Sequence, residues 1–181
     1  TSLFNATNFV TERQVQYKYQ CKKIDFLCTI DGNQVGVSVS RSAQYKELCD
    51  EQGKYTFLIA YRQIRKKLDG LLAARAGITP THSYDRSVLH IFCENNFIAN
   101  LLINAFPQAA KDMQVEDEIS LLITICGNRK LYDDDLSIFG DIIRPTPTNL
   151  KKIGLIYHTG GNSRKVRNSG LTLHPSLSKV F

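Results

Sequence analysis

Apolar and polar positions alternate most clearly over residues 35–40. Val35, Val37 and Val39 share one face of an extended segment there, and Gly36, Ser38 and Ser40 share the other. The run before it, residues 24–30 (IDFLCTI), is apolar and of strand length, and Asp31-Gly32-Asn33 between the two is turn chemistry. The pattern predicts a β-hairpin whose valine face seeks a core. Its Gly/Ser/Ser face leaves room for something to approach closely.

A helical period follows. Phe57, Tyr61, Ile64, Leu68, Leu71 and Leu72 form one stripe, predicting a helix over residues 55–76 with Gly77 as its C′ residue. Arg62, Arg65, Lys66 and Lys67 fall mostly off the stripe, on a face that either is solvated or meets phosphates. Gly70 inside the pattern costs about 1 kcal/mol relative to alanine, which suggests close packing. Pro80 ends the unit. Residues 87–93 read as a strand, 95–106 as a helix stopped before Pro107, and 119–126 as a strand buried on both faces. Residues 11–20 stay ambiguous: Thr11 suits a helix cap, while Val15, Tyr17 and Tyr19 alternate as in a strand.

Hairpin, helix, strand, helix, strand argues for an α/β domain, a mixed β-sheet flanked by helices, over residues 1–141. Asp133-Asp134-Asp135 marks a loop, and Pro145 and Pro147 an extended linker into residues 142–181, where 153–157 and 171–173 suit short strands.

Charge divides the chain in the same place. Of 23 Lys/Arg and 17 Asp/Glu, the last forty residues hold seven bases (Arg144, Lys151, Lys152, Arg164, Lys165, Arg167, Lys179) and no acid. The body is therefore nearly neutral, and the extension carries the excess. A polyanion is the natural partner of such a segment, because each neutralised phosphate releases counterions. No amphipathic helix accompanies the charge, which argues against a membrane surface.

At 43% hydrophobic and 22% charged, 181 residues suit one globular domain with a real core. No apolar stretch approaches the roughly 18–20 residues of a membrane span. Five cysteines without a C-x-x-C pair read as free thiols in a reducing, intracellular compartment rather than as zinc ligands. No secretory signal is visible. An opening on Thr1 rather than Met suggests a processed or trimmed form, which leaves mitochondrial or nuclear residence open.

Phosphate-binding glycine loops, the nucleophile elbow and the H-E-x-x-H zinc motif are all absent. His82, His90, His158 and His174 are far apart, and His90 and Cys93, three residues apart within a strand, point to opposite faces. One constellation stands out. Asp25 lies on the first hairpin strand, the second carries Ser38-Val39-Ser40-Arg41, and a helix and further strands follow.

This order resembles the PD-(D/E)XK restriction-endonuclease-like superfamily over roughly residues 11–126. The resemblance implies an aspartate on one strand and an acid-x-lysine on the next, together holding a divalent metal and activating water. Asp25 matches the first acid. Ser38 and Ser40 stand where the second acid and the lysine belong, and Arg41, one residue on, faces the other way. The expectation is therefore a degenerate site with neither catalytic residues nor cofactor.

Three functions follow as expectations. The first is a non-catalytic nucleic-acid-binding or assembly subunit of a nucleoprotein complex, with RNA favoured over DNA. It would use the seven tail bases together with Arg62, Arg65 and Lys66. The second is a Mg²⁺-dependent nuclease with a migrated site, in which Asp25 holds the metal and Glu12 and Asp31 supply the other acids. The third is a protein–protein scaffold whose basic tail docks on an acidic partner.

Overall fold

The computed structural model describes residues 6–44, 49–126 and 154–157, the last four by their backbone alone. Six strands form one sheet, hydrogen-bonded in sequence order: β1 (Thr7–Thr11), β2 (Phe26–Ile30), β3 (Asn33–Ser42), β4 (Arg86–Cys93), β5 (Ile119–Ile125) and β6 (Gly154–Tyr157). β1, β2 and β3 run antiparallel in turn, β3, β4 and β5 are parallel, and β6 returns antiparallel to β5. Helix α1 (Phe57–Gly77) joins β3 to β4, and α2 (Asn96–Asp112) joins β4 to β5. The α/β class and the mixed sheet follow directly. β6 falls inside the segment expected to be an extension; the boundary at residues 141–142 lies outside the described residues.

The hairpin forms as its turn residues dictate. Asp31 and Gly32 both take positive φ (47° and 82°) between the paired Ile30 and Asn33, a two-residue I′ turn that matches the strands' twist. Register then sorts the side chains. Leu27, Ser42, Leu89, Ile91, Cys93, Leu121 and Ile123 project to one face, and Cys28, Val35, Val37 and Val88 to the other. Both helices bury their apolar stripes on the first face. Ile64, Leu68 and Leu71 of α1 share one core with Leu102, Phe106 and Ala109 of α2 and with the strand residues beneath them. Cys28, Ile30, Val35 and Val37 form a second cluster on the valine face.

Several elements differ from expectation. Residues 12–24 are neither helix nor strand: the segment crosses to the end of α1, where Lys18 N–H donates to the Gly77 carbonyl at 2.7 Å and Tyr17 bridges Ile78. Thr56 caps α1 by accepting from Ile59 N–H at 3.4 Å, so Phe57 sits in the first turn and is 40% exposed rather than part of the buried stripe. Gly77 is the last helical residue rather than a left-handed cap; a side chain there would overlap the Cys21 sulfur. Helix α2 runs through Pro107 to Asp112, because Ala109 and Ala110 beyond it are buried in the core. β5 is buried toward the helices at Ile119, Leu121 and Ile123; on its other face Ser120 is buried, and Leu122 and Thr124 only partly so.

Candidate functional site

The candidate site is where the hairpin meets α1. Asp25 precedes β2, and its exposed carboxylate accepts a hydrogen bond from Val39 N–H at 2.7 Å, tying the entrance of β2 to the middle of β3. Asp25 N–H in turn donates to the Val37 carbonyl at 2.9 Å. The side chain thus does what short polar side chains do at strand ends, holding neighbouring backbone. Ser38 and Ser40 alternate with Val37 and Val39, so they share the helix-covered face with Ser42 and are half-buried.

Above this face α1 contributes two polar side chains one turn apart, Gln63 and Lys67. Gln63 is locked. Its amide nitrogen donates to the Arg41 carbonyl at 3.1 Å, and its oxygen accepts from the Tyr55 hydroxyl at 2.6 Å and the Ser42 hydroxyl at 3.1 Å. Tyr55 and Ser42, 3.0 Å apart, are both buried, and burial pushes the Tyr55 phenol up to about 12. It stays protonated and acts as a donor. Lys67 faces the opposite balance: burial pulls its ammonium down, the Asp25 carboxylate pushes it back up, and Lys66 and Lys22 pull it down further.

The place where the resemblance puts a metal therefore holds one carboxylate, two hydroxyls and one lysine. A divalent ion of the Mg²⁺ type needs several hard, charged oxygens, and a serine hydroxyl does not replace a carboxylate. The other two acids do not complete the set. Glu12 lies beside Asp25 through a backbone bond, its N–H donating to the Asp25 carbonyl at 3.0 Å, but its carboxylate pairs with Lys23 at 3.9 Å. Asp31 is in the turn at the far end of β2, on the order of 20 Å away along the strand. Among the described residues no group of three His, Cys, Asp or Glu gathers to hold a metal. The residues present do not fit the ion.

Arg62, Arg65 and Lys66 are exposed on α1, with the Arg65 guanidinium 5.9 Å from the centre of the Tyr61 ring. Arg144, Lys151, Lys152, Arg164, Lys165, Arg167 and Lys179 lie outside the described residues. His90 and Cys93 do sit on opposite faces of β4. His90 Nε2 lies 2.9 Å from the Thr124 hydroxyl, and burial lowers its pKa to about 4 while raising that of Cys93 to about 12. On opposite faces of the strand, an imidazole this weakly basic and a thiol this firmly protonated do not make a nucleophile and its base.

Sequence reasoning missed Lys22 and Gln63, and read Lys67 only as one of a basic cluster, not as a neighbour of Asp25. The four-residue spacing of Gln63 and Lys67 was there to be read, but nothing local shows that residues 12–24 fold back along α1. No family model matches this chain, and neither a curated protein nor a solved structure matches it.

Proposed function

We propose that this protein is a non-catalytic nucleic-acid-binding subunit, RNA favoured over DNA, whose α/β body is restriction-endonuclease-like and whose basic C-terminal segment grips phosphates. The observation that carries the reading is the charge distribution: seven bases and no acid in the last forty residues, beside a body with no comparable excess. The element order and Asp25 at the entrance of the hairpin support the nuclease-like body. Two serines in place of an acid and a lysine support the loss of cutting. Fold analogy by itself speaks to ancestry, not to activity.

The test measures affinity of the full chain for single-stranded RNA and DNA across salt concentrations. A variant with Arg144, Lys151, Lys152, Arg164, Lys165, Arg167 and Lys179 changed to glutamine is measured alongside. Neutralisation is preferable to deletion, because Gly154–Tyr157 is a strand of the sheet. The reading expects a steep salt dependence that flattens in the variant, RNA bound more tightly than DNA, and intact nucleic acid after incubation with Mg²⁺ or Mn²⁺. Unchanged affinity in the variant overturns the role of the tail, and metal-dependent cleavage lost in Asp25→Ala overturns the non-catalytic assignment.

A further inference from the structure

Arg62, Lys66 and Gly70 are spaced four apart on α1, so they form one row along the helix with a rise of about 6 Å from each to the next. Arg62 and Lys66 are exposed. At Gly70 the row has no side chain of its own, and another residue takes the place: the Cβ and Cγ of Lys22 lie 4.0 Å from where a Gly70 Cβ would stand. Lys22 is exposed and three residues ahead of Asp25, so the connection between β1 and β2 lays a third cation at the end of the row. Lys67, beside Lys66, flanks it on the side of the sheet. None of Arg62, Lys66 and Lys22 has an ion-pair partner among the described residues, whereas neighbouring Lys23 is held by Glu12. Among the described residues two acids border the row: the exposed Asp69 on α1, and the exposed Asp25 at its far end, whose carboxylate acts on Lys67.

We infer that Arg62, Lys66 and Lys22 form a continuous track for a polynucleotide phosphate backbone, assembled from α1 and the segment that folds across it, and running to the Asp25 hairpin. A line of cations complements a line of phosphates. Lysines contact phosphate as point charges without reading bases, so the track positions a strand rather than selecting its sequence. RNA and DNA share this chemistry. The inference rests on the nucleic-acid reading above, which already counts Arg62 and Lys66 among its bases; it adds Lys22 and joins the three into one line.

The experiment uses the full chain with its tail intact and follows the salt dependence of binding to single-stranded RNA and DNA oligonucleotides. Lys22→Gln/Arg62→Gln/Lys66→Gln is compared with Lys54→Gln/Lys111→Gln, which removes exposed charge elsewhere. Losing three phosphate contacts lowers the slope of log affinity against log salt by about 2. The control pair leaves the slope near that of the unaltered chain, and Asp69→Asn tightens binding. Lys22→Arg/Lys66→Arg retains the slope, which separates lost charge from lost structure. A triple variant whose slope matches that of the control pair overturns the track while leaving the tail reading intact. A full chain that binds neither nucleic acid at low salt overturns both.

Discussion

A Cβ on Gly36 would stand 2.5 Å from Cε2 and Cζ of Tyr84: the ring fills the space that any side chain at this position of β3 would need. Tyr84 is itself buried, 4% exposed, and its hydroxyl has no hydrogen-bond partner among the described residues. Gly36→Ala must displace a packed ring and should destabilise the fold by about 1–3 kcal/mol, read as a lower thermal midpoint. Tyr84→Phe removes only the unsatisfied hydroxyl and should be neutral or stabilising. The clash is with ring carbons, so Tyr84→Phe should not rescue Gly36→Ala. A rescued double variant would mean that the hydroxyl, not the ring, sets the spacing.

Gly70 behaves differently from Gly36 although both were expected to mark close approach. A Cβ at Gly70 meets Lys22 at 4.0 Å, ordinary van der Waals distance. Gly70→Ala should therefore gain the helix-propensity difference, up to about 1 kcal/mol, with Lys22 left in place. Chemical denaturation with urea is the direct measurement. A lower midpoint would show that the segment carrying Lys22 packs more tightly on α1 than this spacing implies.

The half-buried His90 should make stability depend on pH. Burial holds its folded pKa near 4, below the ordinary value of 6.5, so the unfolded chain takes up the proton first as pH falls. Above pH 6.5 both states are neutral at this residue and it contributes no pH dependence. Between 6.5 and about 4 the unfolded state is progressively favoured, by about 2 kcal/mol at pH 5. His90→Gln has no such titration, so its stability should fall less than that of the unaltered chain between pH 7.5 and pH 5. Parallel curves would place the imidazole in contact with water.

The sequence carried the fold further than the site, for a physical reason. Hairpin, helices and parallel strands are encoded by local periods and turn residues: Asp31-Gly32 specifies the I′ turn, and the stripe from Ile64 to Leu71 specifies the buried side of α1. Asp25 was legible because its strand and the serines opposite lie within one hairpin. Lys22 was not, since its place beside Lys66 depends on residues 12–24 crossing to Gly77 and Ile78, contacts more than fifty residues apart in the chain. Phe57 was misread for a smaller reason: periodicity extends a stripe to the helix end, whereas burial along α1 begins only at Ala60.

Pro107 shows tertiary packing overriding a local rule. It has no N–H to give the Ile103 carbonyl, and a proline inside a helix costs about 3 kcal/mol. Yet α2 continues for five residues beyond it, because Phe106, Ala109 and Ala110 are each fully enclosed in the core shared with α1 and the sheet. Pro107→Ala restores the donor and should stabilise the protein by about 1–2 kcal/mol, less than the full helix penalty because proline also restricts the unfolded chain. The thermal midpoint should rise, and the amides of residues 107–112 should exchange more slowly with solvent. Ala109→Asp provides the converse: a charge placed in that core should cost several kcal/mol by leaving it buried without a partner. If helix α2 instead ended before Pro107, Ala109→Asp would be nearly silent and Pro107→Ala would leave exchange unchanged.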